Sequence, residues 1–272
     1  MSKHQGLGND FLVYDIRQGL PFSEGNPDTQ WASFARDWCD RRFGIGADGV
    51  LLLGREGANQ LTMVLYNADG SRAEISGNGI RCLVQAAYWQ DQIDGPATYV
   101  VNTDAGMRTV EVLEGSSSSN VAQLSVSMGV VSDIAEPSNW AALQCNPDRP
   151  VRHLSLGNPH SVVSVEDVAD VDLQTLGALV PHVNLEIVAP GPEAHAITMR
   201  VHERGSGITL ACGSGACASA VAAKAWGFVP ASAPEVLVHM DGGDARVRID
   251  ATTSQATLIG PSVFIANVVF HV

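Results

Sequence analysis

Lysine is nearly absent from this sequence: Lys3 and Lys224 are the two in 272 residues. A pyridoxal-phosphate enzyme needs a lysine for its Schiff base. Lys3 stands at the terminus and Lys224 deep in an expected helix, so the pair speaks against that cofactor, and none is expected. Basic residues are scarce altogether, 16 against 29 acidic ones, for a net charge of −13. The Lys/Arg clustering that tracks a phosphate backbone is missing, which argues against a nucleic-acid partner. No stretch reaches the roughly 18 apolar residues of a membrane helix. The opening MSKHQGLGND has no apolar core of signal-peptide length. The expectation is a cytoplasmic protein with no membrane partner. Cysteine is sparse and odd in number, at positions 39, 82, 145, 212 and 217, which suits a reducing compartment better than a disulfide scaffold. Neither the cysteines nor the eight histidines have structural zinc spacing, so no metal is expected.

What is present points to a globular fold. Hydrophobic residues make up 45% of the chain, enough for substantial cores. Val/Ile/Thr content and alternation place strands at 11–15, 49–53, 61–66, 97–101, 108–113 and 123–128. Later strands are expected at 160–165, 183–188, 196–202, 235–239, 245–249, 256–260 and 263–270. Helices are expected at 80–89 and 215–226, each opening in a Gly-rich turn, and at 29–38. The polar run GSSSSN at 115–120 is a candidate linker between two halves.

Those halves echo one another. SGNGIRCLVQAA from Ser76 and CGSGACASAVAA from Cys212 both read small-Gly-polar-Gly and then an apolar helix. Asn67 precedes Ser76 by the same nine residues that separate Glu203 from Cys212, and GLGND near the start is echoed by LGNPH at 156–160. This suggests two structurally similar halves, each offering a helix N-terminus. Such an end presents unsatisfied N–H groups and a positive dipole, a ready carboxylate site. A thiol there is expected to have its pKa lowered, which gives Cys212 the character of a thiolate base. Inverting an amino-acid Cα without a cofactor needs a base on one face and an acid on the other. Two such helix ends would supply both groups and stabilise the charge that develops.

GLGNDF at 6–11, RRFGIGADGVLLL at 41–53, YNADGS at 66–71, SGNGIRC at 76–82, LGNPH at 156–160, VNLEIV at 183–188, ERGSGITLACGSGA at 203–216 and GP at 260–261 run in order across nearly the whole chain. In this set the sequence resembles the diaminopimelate epimerases. The resemblance implies an α/β (α+β) fold of two pseudo-symmetric domains, each a curved, mostly antiparallel sheet around a central helix. Their expected bounds are 1–117, with a C-terminal strand at about 262–272, and 118–261. It implies interconversion of LL- and meso-diaminopimelate in lysine and peptidoglycan precursor synthesis, and a homodimer. Asn9, Asn67, Asn158, Asn184, Glu203 and Arg204 would hold the substrate, chiefly its distal zwitterionic end. Gly77, Asn78, Gly213 and Ser214 would bind the reacting carboxylate through backbone N–H groups. Cys212 would be one catalytic residue, with His160 and Glu203 assisting.

The chain departs from the family at Ser76, where the partner cysteine of Cys212 is expected. A serine keeps the shape and can hydrogen-bond, but it is a poor base without activation. A variant made to block turnover or disulfide formation, a natural serine/cysteine enzyme, and a non-catalytic binding relative all fit the substitution. A racemase or isomerase of the same fold with another substrate is the remaining alternative. Cys39, Cys82 and Cys145 are read as structural or incidental, Cys217 as packed, and the histidines other than His160, His271 among them, as surface or packing residues. Asp48 and Asp69 are read as loop braces.

Overall fold

The structure, a computed structural model, describes residues 1–22 and 26–269. Two compact units divide it: Met1–Val126 with the described residues from Pro261 onward, and Ser127–Gly260.

The first unit contains β1 (Ser2–Gly6), β2 (Asn9–Asp15), α1 (Pro27–Cys39), β3 (Gly49–Arg55), β4 (Gln60–Asn67), β5 (Arg72–Ala73), α2 (Gly77–Gln90), β6 (Ala97–Thr103) and β7 (Gly106–Glu114), and most of β8 (Val121–Val130). β1 and β2 are antiparallel, β2 and β3 parallel, β3 and β4 antiparallel, and β4 and β6 parallel. β6, β7 and β8 follow as antiparallel neighbours, with β5 a short addition to β4.

The second unit contains β9 (Ser132–Asp133), β10 (Val151–Ser155), β11 (Pro159–Ser164), α3 (Leu173–Leu179), β12 (Asn184–Pro190), β13 (Ala196–Glu203), β14 (Gly207–Thr209), α4 (Gly213–Trp226), β15 (Val236–Met240) and β16 (Gly243–Ile249). It also takes the first part of β17 (Gln255–Asn267). Its pairing repeats that of the first unit strand for strand: β10–β11 antiparallel, β11–β12 parallel, β12–β13 antiparallel, β13–β15 parallel, then β15, β16 and β17 antiparallel, with β14 beside β13. The echo in the sequence is thus an echo in topology.

Each sheet wraps one helix. α2 packs on β1, β2, β3, β6 and β7 and is buried from Gly77 to Tyr88. α4 packs on β10, β11, β12, β13, β15 and β16, and its Ala/Gly/Ser-rich sequence lets those strands approach closely. A helix apolar on all sides needs such enclosure. The other sheet faces are covered too. α1 lays Trp31, Ala35 and Cys39 against Leu12, Val50, Leu52 and Tyr66. α3 sets Leu173 among Val163, Leu185 and Ile187, with Trp140 and Val180. Cover on both faces explains why β3 reads as a continuous apolar run, GVLLLG, instead of alternating.

Several elements differ from their expected form. The strands expected at 256–260 and 263–270 are one strand, β17, described to Asn267; Phe270 and His271 lie outside the described residues. Pro261 does not interrupt it. The residues before it pair with β16 and those after it with β1. The run 115–120 stays within the first unit: Tyr88 Oη donates to Gly115 O at 3.0 Å, and Ser117 N to Asp94 at 2.9 Å. The division falls instead inside β8. β1, β5, β9, β10, β14 and α3 were not expected. β1 is short and polar, SKHQG, and α3 has only 7 residues.

Candidate active site

The strand-to-helix turn before α2 delivers Ser76 as the helix N-cap. Its backbone is extended (φ −131°, ψ 124°), and its Oγ accepts from Gly79 N at 3.0 Å. A methyl group at Gly79 would lie 3.4 Å from both Phe11 Cζ and Leu51 Cδ2, so the floor beneath this end is apolar. Asn78 Nδ2 donates to Asn9 Oδ1 at 3.4 Å, and Asn9 Nδ2 donates to Asp48 Oδ2 at 2.7 Å. Asn67, the last residue of β4, donates to Ser71 Oγ at 3.0 Å within a turn that Asp69 braces by accepting from Ser71 N.

Cys212 caps α4 in the same way. Its backbone is extended (φ −124°, ψ 114°), and its Sγ accepts from Gly215 N at 3.4 Å and lies 3.6 Å from Ser214 Oγ. Asn158 Nδ2 donates to Ser214 Oγ at 3.2 Å, and Asn158 Oδ1 faces His160 Nε2 at 3.1 Å. His160 Nδ1 and Glu186 Oε1 share a hydrogen bond of 2.6 Å, both side chains fully buried. Asn184 Nδ2 donates to Pro159 O at 3.1 Å, and its Oδ1 accepts from Arg204 N at 2.9 Å, which ties three strand ends together. Glu203, at the end of β13, accepts from Thr209 Oγ1, and Arg204 is exposed beside it.

Register confirms that the two ends correspond. Phe11 pairs with Gly49 across the parallel β2–β3 ladder, and His160 with Asn184 across β11–β12. Phe11 therefore corresponds to His160, and Leu51 to Glu186. The apolar pair under Ser76 is replaced by an ionisable pair under Cys212.

Electrostatics depart from the expectation of a lowered thiol. The Cys212 pKa lies well above the usual thiol value. Burial is the largest cause, followed by the nearby carboxylates of Glu203 and Glu186. The Gly215 amide and the Ser214 hydroxyl pull the other way and do not prevail. A helix end lowers a thiol pKa where solvent also reaches the sulfur; here Cys212 is only 5% exposed. Burial likewise pushes the Glu186 carboxyl up. Among the described residues no group of His, Cys, Asp and Glu is placed to hold a metal ion. Both lysines are engaged: Lys224 Nζ donates to Ala233 O, and Lys3 Nζ pairs with Asp10.

The sequence model of the diaminopimelate epimerases matches residues 1–132 and 153–265. The chain belongs to the diaminopimelate epimerase family. A diaminopimelate epimerase of Thermosynechococcus vestitus is 38% identical, with 96% of this chain and 95% of that one covered. Solved structures share the fold at lower identity. A predicted epimerase from Pseudomonas aeruginosa superposes with a TM-score of 0.73 at 14% identity, covering 97% and 96% of the two chains. A probable proline racemase from Agrobacterium radiobacter gives 0.70 at 13%, covering 99% and 92%. No helix among the described residues is long and apolar enough to cross a membrane.

Two residues near these helix ends were not expected. Arg81, fully buried, donates to Gly77 O, Asn78 Oδ1 and Pro261 O and so sets the Asn78 side chain. Its signal was the lone charged residue in the helix sequence GNGIRCLVQAAYWQ. Glu186 is the other, a carboxylate inside the apolar run VNLEIV.

Proposed function

We propose that the chain carries out diaminopimelate epimerase chemistry, moving a proton off and onto the substrate Cα with Cys212 as one acid/base group and Ser76 at the other position. The observation that carries this reading is the pair of matching helix caps, each placing one protic side chain at a helix N-terminus. The first-turn amides at Gly77, Asn78, Gly213 and Ser214 offer donors to the reacting carboxylate, and the positive helix ends stabilise the charge that develops as Cα is deprotonated. Asn9, Asn67, Asn158, Asn184, Glu203 and Arg204 hold the rest of the substrate, with Arg204 and Glu203 matched to a zwitterion. His160 and Glu203 act beside Cys212. The buried, protonated thiol fits the acid's role and becomes a base when its proton is lost.

Ser76 sets the limit. An alcohol lies far above a thiol in pKa, so the half-reaction assigned to that position is slow while substrate binding is kept. Comparing this chain with Ser76→Cys on LL-diaminopimelate tests the assignment. Equal rates would sink it, and failure to bind diaminopimelate in calorimetry would point to another substrate. The homodimer and the cytoplasmic location remain part of this reading.

A further inference from the structure

The floor beneath Cys212 carries a carboxyl group where the floor beneath Ser76 carries Leu51. Glu186 is fully buried, and its Oε1 lies so close to α4 that a methyl group on Gly215 would sit 2.7 Å from it. Its Oε2 has no hydrogen-bond partner among the described residues. A buried carboxylate with an unpaired oxygen is costly, and a neutral acid much less so. The groups that face Glu186 are His160 from β11, Glu203 from β13 and Cys212 from the start of α4. A negative Glu186 would repel both Glu203 and a Cys212 thiolate.

Resting on the reading of Cys212 as an acid/base group, we propose that Glu186 is a positioning residue that, as a neutral acid, orients a one-way hydrogen-bond chain ending at the Cys212 sulfur. The chain runs Glu186, His160, Asn158, Ser214, Cys212, with successive separations of 2.6, 3.1, 3.2 and 3.6 Å. Asn158 donates its amide N–H to Ser214 Oγ, so its carbonyl oxygen is the atom facing His160 Nε2. Nε2 must then carry a proton. One further proton lies between Nδ1 and Glu186 Oε1; held on Glu186, it makes every donor in the chain point towards Cys212. The Ser214 hydroxyl, already an acceptor from Asn158, turns its own proton to the sulfur. When Cys212 protonates a carbanion, its S–H bond breaks, the electron pair stays on sulfur, and the new C–H bond forms. Ser214 then donates to the sulfur anion while each member of the chain keeps its own proton. Burial also raises the Glu186 pKa, in keeping with the neutral form.

The test is the pH dependence of Cys212 alkylation by iodoacetamide in the full chain, read by tandem mass spectrometry at Cys212, for Glu186→Gln and Glu186→Leu. Glutamine can donate from its amide to Nδ1, so the midpoint is expected to stay near that of the parent chain. Leucine cannot, and the midpoint is expected to rise by about one unit, a tenfold loss of thiolate at fixed pH. A midpoint that falls in both variants would mean that Glu186 is an anion, and would overturn the proposal. An unchanged midpoint in Glu186→Leu would overturn it equally. Should Glu186→Leu fold poorly, the double variant His160→Phe/Glu186→Leu recreates the Phe11/Leu51 floor and is expected to show the same rise. Calorimetry with diaminopimelate runs alongside: absence of binding by the parent chain refutes the substrate reading, whereas the midpoints judge Glu186 alone.

Discussion

Ser76 and Cys212 close their helices with one geometry: extended backbones within about 10° of each other in φ and ψ, and a side-chain atom accepting from the amide three residues on. The two differ in the atom that accepts, oxygen at one end and sulfur at the other.

Sulfur placed at position 76 is therefore expected to take up the same capping geometry without rebuilding the site. Ser76→Cys is expected to raise LL-to-meso turnover by about 10²–10⁴-fold, the usual worth of a positioned acid or base, with little change in substrate affinity. Chromatography that resolves the two stereoisomers measures it.

Cys212 by itself should complete half a cycle. In deuterated water the parent chain is expected to exchange the substrate Cα–H without net inversion, and Cys212→Ala to abolish that exchange. Because burial holds the thiol protonated to well above its usual pKa, the base form gains population as pH rises. The exchange rate should climb through neutrality into the alkaline range; a plateau below pH 8 would contradict the buried thiol.

The two capping glycines should respond unequally to alanine. A methyl at Gly79 meets Ser76 Cβ at 3.1 Å and apolar side chains at 3.4 Å. One at Gly215 meets Glu186 Oε1 at 2.7 Å and the Cys212 sulfur at 3.3 Å. Gly215→Ala is expected to cost about 1–3 kcal/mol of stability and more of the Cα exchange than Gly79→Ala, as read by urea unfolding and isotope exchange.

His4 gives the fold a pH dependence of its own. It is buried, bonded to Gln85 and Ser2, and burial lowers its pKa to about 4. The unfolded chain binds a proton near pH 6.5, so between that pH and about 4 unfolding takes up protons. Stability is full above this window and falls as pH drops through it, by up to about 3 kcal/mol. His4→Gln should flatten that slope in urea unfolding across pH 4–7.

Much of this was legible in the sequence because the decisive features are local. The Gly-polar-Gly turns after Ser76 and Cys212 announce helix ends, and the nine-residue offset to Asn67 and Glu203 encodes equal strand-to-helix connections. What escaped depends on cover from distant elements. Glu186 reads as one polar residue in an apolar strand, and only α4 closing over β12 makes it a buried acid. The raised Cys212 pKa is missed for the same reason, since a helix end can be recognised from sequence but the depth of its burial cannot. β17 was read as two strands because Pro261 looks like a break until the strands that pair on either side of it are known.

That strand also bears on synthesis. A nascent chain emerges at about 5–20 residues per second, and its early segments begin folding before its late ones exist. Yet β1 pairs with residues 263–267, and Arg81, buried within α2, donates to the Pro261 carbonyl. The unit that contains β1 thus waits for a strand made long after it. Until then the ribosome holds an open sheet edge and an unsheltered arginine, the stretch of the protein's life in which it is most exposed to aggregation and proteolysis.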